Sequence, residues 1–132
     1  MTAHYMLCKV SGSFEQVTQY LGKYFGNIHN DQWNTPEGRI AVILGELYFI
    51  RSNSNAAILI TVKEAGASET NLELISYAGA SGVLDLSWGA HGSYVQRIKN
   101  SLQNAGFTVE VTKEIPNYDA LSAGALKTTV PK

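Results

Sequence analysis

The apolar positions change their period several times along the chain, and each change marks an element. Residues 5–10, YMLCKV, alternate weakly and place Met6, Cys8 and Val10 on one side, the mark of a first strand. A helical period follows in SGSFEQVTQYLGKYFGN, where Phe14, Val17, Leu21, Tyr24 and Phe25 share one stripe. Ser13 and Gln16 form a capping box, each side chain satisfying a backbone N–H that the first turn leaves without a partner. Gly26 offers a left-handed stop.

The next stretch, NIHNDQWNTPEGR at 27–39, is polar and contains Pro36 and Gly38, so it reads as a long loop. Strand periodicity returns in RIAVILGELYFIR, with Gly45 as the expected kink or bulge. SNSN turns the chain into AAILITVKEA, and GASE turns it into TNLELISYA. The segment AGASGVLDLSWGAHGSYVQRI then runs into a second helix, and FTVEVTKEI supplies a final strand. The expected order is β-α-β-β-β-α-β. It implies an α+β fold of two layers, a mostly antiparallel sheet of about five strands with both helices on one face. Residues 1–115 make one domain, and 116–132 read as a mobile or loosely docked tail. GSFEQV and GSYVQR open the two helical units alike, which predicts helices of similar length.

The sheet carries a further signal. If Ile40, Val42, Ile58, Ile60, Val62, Leu72 and Leu74 face the helices, the opposite face still receives Ile43, Leu59, Ile75 and Tyr77. Tyr48 and Ile50 join them according to the register at Gly45. A wet sheet face alternates more cleanly than this, so the second face needs a cover. A second copy of the chain, the tail through Leu121, Ala125, Leu126 and Val130, or an external partner would each provide one.

Composition narrows the classes. The 132 residues are 45% hydrophobic, enough for one core and too few for two domains. Ten basic residues balance eleven acidic ones, without a basic stripe for a phosphate backbone, and nucleic acid is not an expected partner. Such a role would need Lys9, Lys23, Arg97 and Lys99 on one face. The longest apolar run, Ile40 to Leu44, is far short of a membrane span. MTAHYMLCKVSGSF lacks the pattern of a signal peptide, and the single Cys8 suits a reducing compartment, so a cytoplasmic location is expected.

Candidate chemistry is sparse. Gly89 and Gly92 precede the expected helix start, yet the segment holds neither GxGxxG nor GxxxxGK[ST] and no lysine, so these glycines are read as turning the chain. His29 and Asp31 lack a third metal ligand, His91 beside Asp85 is read as an exposed residue near the helix start rather than an acid–base group, and Cys8 reads as a core thiol. No catalytic residue, metal or cofactor is called for. Trp33, Trp88, His91 and Tyr94 are the candidates for a small-molecule pocket between loop 27–38 and the 85–92 junction. Ile43, Tyr48, Leu59, Ile75 and Tyr77 are the candidates for an interface.

SGSFEQV, ELISYAGASGVLDLSWG and the closing amphipathic helix together resemble a family of small uncharacterised bacterial proteins of Firmicute type, a domain of unknown function. The likeness spans about residues 5–110 and leaves out the tail from Pro116. It implies an α+β fold and a bacterial source, and supplies no catalytic residue. The expectation is a cytoplasmic binding or interaction module, homodimeric and without catalysis. The alternative is a small-molecule-binding protein or modest enzyme using the pocket above.

Overall fold

A computed structural model describes residues 3–49, 54–78 and 84–118. Eight elements follow in the order β1 (Ala3–Ser11), α1 (Phe14–Phe25), β2 (His29–Thr35), β3 (Gly38–Phe49), β4 (Ser54–Gly66), β5 (Glu69–Ala78), α2 (Leu84–Asn104) and β6 (Val109–Tyr118). The strands form one six-stranded sheet in the order β2-β3-β4-β5-β1-β6, with every neighbouring pair antiparallel. The α+β class stands, with one strand more than the sequence pattern shows.

The extra strand is β2, so the expected loop over 27–38 is corrected to an edge strand and a tight turn. Its sequence HNDQWNT is exposed at six of seven positions. It has one neighbour and buries little, so it lacks the apolar alternation by which strands are recognised. Backbone pairing to β3 holds it instead. At its start the Asn27 side chain donates to the Glu46 carbonyl and accepts from the Glu46 N–H, extending the ladder by one rung. At its end the Thr35 hydroxyl donates to the Gly38 carbonyl across the turn, where Gly38 adopts φ 135°, a conformation suited to glycine.

Helix α1 forms as its pattern predicts. The capping box of Ser13 and Gln16 is complete, and Phe14, Val17 and Leu21 are buried. Gly26 closes the helix at φ −98°, outside the left-handed region. Arg39 ties the start of α1 to the sheet by pairing with Glu15 at 2.9 Å and Glu64 at 2.8 Å, its guanidinium lying over the Phe14 ring.

Helix α2 begins at Leu84, so Gly89 and Gly92 lie inside it, and the expected 85–92 junction is the first half of a helix. At 21 residues against 12, the two helices are not of similar length. Gly79 and Gly82 lie outside the described residues. Strand β6 passes Pro116 and ends at Tyr118.

One core lies between the helices and the sheet. Phe14, Val17 and Leu21 of α1 and Tyr94, Val95, Ile98 and Leu102 of α2 meet Met6, Cys8, Val10, Ala41, Ile43, Ile58, Ile60, Val62, Leu72 and Leu74. In β3 the expected faces are reversed: Ala41 and Ile43 point to the helices, and Ile40 and Val42 point away. Gly45 causes no bulge, since pairing with Ile58 continues through it. A Cβ there would stand 1.8 Å from the Phe25 carbonyl oxygen, so the glycine admits the end of α1. Among the described residues no helix is long and apolar enough to cross a membrane.

Candidate interaction surface

The register carries one row across the helix-distal face, apolar on five of its six strands: Leu44, Leu59, Ile75, Tyr5 and Ile115, with the polar His29 at the β2 end. On one side of it Glu46, Ala57, Tyr77, Ala3 and Tyr118 stand in line. On the other side lies the row Asp31, Val42, Thr61, Glu73, Leu7 and Lys113, and beyond that Trp33, Ile40, Lys63, Asn71, Lys9 and Glu110. Six strands about 4.8 Å apart and four rows about 6.7 Å apart give a face of roughly 24 by 20 Å. Apolar side chains occupy its middle, and charged ones stand mostly in the outer rows and at row ends.

Exposure follows the same division on β2 to β4 and at Tyr77, whereas Tyr5 and Ala3 of β1 are buried, at 4% and 6%. Leu59 is 38% exposed, Tyr77 46%, Trp33 46% and Tyr48 52%, whereas Ile58 and Ile60, the chain neighbours of Leu59, are fully buried. The helices cover one face. None of the described helices covers the other.

Two polar features are built into this apolar surface. The Tyr5 hydroxyl donates to Glu73 Oε2 at 2.7 Å, and its ring packs on Tyr118 with centroids 4.7 Å apart. Burial, then the carboxylate hydrogen bond, raises the Tyr5 phenol well above its usual range, so it stays a donor. Glu73 thus carries a hydrogen bond from its own chain, which lowers the cost of covering it. Beside it a recess of about 230 Å³ lies among Leu7, Lys9, Lys63, Asn71, Glu73 and Thr112.

The sequence-derived candidates divide between the faces. Tyr48, Leu59, Ile75 and Tyr77 lie on the helix-distal face. Ile43 does not: it is 1% exposed in the core, and its place is taken by Val42 and Leu44. Trp33, expected in a pocket, belongs to the face, as do Tyr5 and Ile115, which the sequence pattern does not single out; the alternation of β1 around Tyr5 was the available signal for one of them.

Of the expected pocket residues, Trp33 and Tyr94 lie on opposite sides of the sheet. Trp33 stands on the helix-distal side, while Tyr94 is 2% exposed under α2 on the other. Burial pushes the Tyr94 phenol up to about 12. Trp88 and His91 lie in α2, and their side chains are outside the described residues. Cys8 is in the core, where burial pushes its thiol up to about 11. His29 and Asp31 share one side of β2, and no group of three or more metal-ligating side chains occurs among the described residues. Lys9 faces away from the helices that carry Lys23, Arg97 and Lys99, so the structure does not gather these four cations on one face.

Comparison with known proteins adds three findings. The chain matches the sequence model of a family of unknown function, DUF6054, over residues 3–106. No curated protein matches it. Among solved structures it is similar to an uncharacterized protein from Bacillus thuringiensis, at 18% identity and a TM-score of 0.37, over 77% of this chain and 97% of that one.

Proposed function

Because the chain belongs to the DUF6054 family, whose function is unknown, we propose from its geometry that it is an interaction module. It forms a homodimer through the helix-distal face of its sheet, without a catalytic step of its own. The supporting observation is the row that is apolar on five strands, from Leu44 to Ile115, with half-exposed Trp33, Tyr48 and Tyr77 around it.

Exposed apolar area costs about 25 cal/mol per Å², and contiguous patches above a few hundred Å² mark interaction surfaces. The four rows together, charged positions included, span a flat area of roughly 480 Å², against the ~800 Å² per partner of a standard interface. A second copy is always present at matching concentration, and aliphatic side chains dominate the centre of the face. Exposed aromatics at Trp33 and Tyr77 lie too far apart to stack consecutive bases: three strands and three rows separate them, roughly 24 Å. The lone buried thiol suits a reducing compartment, in keeping with the cytoplasm.

Light scattering coupled to gel filtration tests the proposal. The expected mass is twice the 14.3 kDa of the chain. Leu59→Lys is expected to return the mass to that of one chain with the circular dichroism spectrum unchanged. A wild-type mass of one chain at roughly 100 μM, where even a weak pair is populated, would overturn it.

A further inference from the structure

We infer that the two copies of the proposed homodimer meet about a two-fold axis running along the strands between β4 and β5, so that Asp31 of each chain faces Lys113 of the other. The inference rests on the homodimer reading and specifies the arrangement of the partner.

Two identical sheets that meet face to face are related by a two-fold axis lying in the plane of contact. For a sheet, the two natural directions are along the strands or across them. The row from His29 to Ile115 falls on itself either way, so the neighbouring rows decide.

An axis across the strands reverses the order of the rows. The row beginning at Asp31 then meets the row beginning at Glu46, and Val42 is laid against the carboxylate of Glu46. An axis along the strands has aliphatic-to-charge contacts of its own, at Ile40 with Lys9 and Ala3 with Glu46. The axes therefore differ in the opposite charges they bring together: across the strands, Lys113 meets Tyr118 and Asp31 meets no cation. An axis along the strands keeps each row opposite itself, reversed from left to right. Leu59 then faces Ile75, Leu44 faces Tyr5, and Val42 faces Leu7. Glu73 faces Thr61, with the Tyr5 hydroxyl already donated to it. Lys63 faces Asn71, and Ile40 faces Lys9. No like charges oppose each other in any of these rows.

The two ends of one row carry the register. Asp31 stands at the β2 edge and Lys113 at the β6 edge. Neither forms an ion pair among the described residues; the Asp31 carboxylate accepts only from the Gln32 N–H, at 2.9 Å. Aligned sheets cross at about 30°, which displaces facing positions at the sheet edge by roughly 6 Å, within reach of a lysine side chain. The two-fold makes the pair twice, once at each edge.

Charge reversal tests the arrangement in the full chain. Asp31→Lys and Lys113→Asp are each expected to weaken the dimer about tenfold in sedimentation equilibrium at low salt, by replacing attraction with repulsion at both edges. The double variant is expected to recover to within about threefold of wild type, and the differences to shrink at high salt. Both positions are exposed, so circular dichroism should not change. A wild-type monomer overturns the homodimer and this arrangement with it. A wild-type dimer whose single variants bind normally, or whose losses add in the double variant, overturns the axis alone.

Discussion

Ser76 is fully buried on the helix-facing side of β5, and its hydroxyl finds no hydrogen-bond partner among the described residues. Burying such a hydroxyl has a desolvation cost that no contact returns, so Ser76→Ala is expected to leave stability unchanged or raise it by about 1 kcal/mol. Urea denaturation checks this, and a loss would mean that the hydroxyl is satisfied. Gly45 behaves in the opposite sense. Gly45→Ala forces a Cβ against the Phe25 carbonyl oxygen, and the backbone at the end of α1 must move. A loss of about 3 kcal/mol or more is expected in the same experiment, at the upper end for overpacking. At Cys8, burial raises the thiol from 9.0 to about 11. Above pH 9 the unfolded chain therefore loses a proton that the folded chain keeps, and stability falls as pH rises from about 9 toward about 11. The thiol should resist alkylation at neutral pH until the protein unfolds. A folded protein that reacts at the rate of a free thiol would contradict this placement.

The same contrasts explain which elements the sequence pattern reveals. Helix α1 is legible because its amphipathic stripe and its cap are both local signals. Ser13→Ala removes the acceptor for the Gln16 N–H and is expected to cost about 1 kcal/mol in chemical denaturation. Its first turn is also held by charge. Arg39 holds the Glu15 and Glu64 carboxyls below their usual value of 4.5, so this contribution is present above that pH and is lost on acidification below it. Strand β2 is illegible because an exposed edge strand carries no apolar alternation. The first half of α2 hides behind Gly89 and Gly92, each costing about 1 kcal/mol in a helix relative to alanine, which makes the segment look like a turn. In β3 both alternating sets are apolar, and periodicity cannot choose between them. Space chooses. Ala41 and Gly45 are the small residues inside the strand, and they face the helices; at Gly45 the end of α1 comes close enough to exclude a side chain. Ile43 fits between them in the core, and Ile40, Val42 and Leu44 are left to the other face, opposite to the expected assignment.

At the scale of the molecule, this asymmetry separates two kinds of apolar residue that composition cannot tell apart. Leu59 and Ile60 are neighbours in β4 with similar hydrophobicity, yet one is 38% exposed on the helix-distal face and the other is fully buried in the core. The candidate face was legible in the sequence as excess hydrophobicity at Leu59, Ile75 and Tyr77, because β4 and β5 alternate around them without a break. Its extent was not, because Trp33 and Tyr5 join it only through pairings distant in the sequence. The pair of residues offers a direct comparison. Ile60→Asp places a carboxylate among Leu74, Ile43 and the helices without a partner, and is expected to abolish folding, since such a burial costs more than a typical domain's stability margin. Leu59→Asp places the same group on a face that is wet in the single chain. It should leave the unfolding transition of that chain within about 0.5 kcal/mol of its wild-type value at concentrations below dimer formation, the range for surface substitutions. Above that concentration the wild type gains stability from association and the variant does not, so their midpoints should diverge as protein is added. Midpoints of both proteins that are equal and independent of concentration would mean that the helix-distal face remains in water, its apolar row notwithstanding.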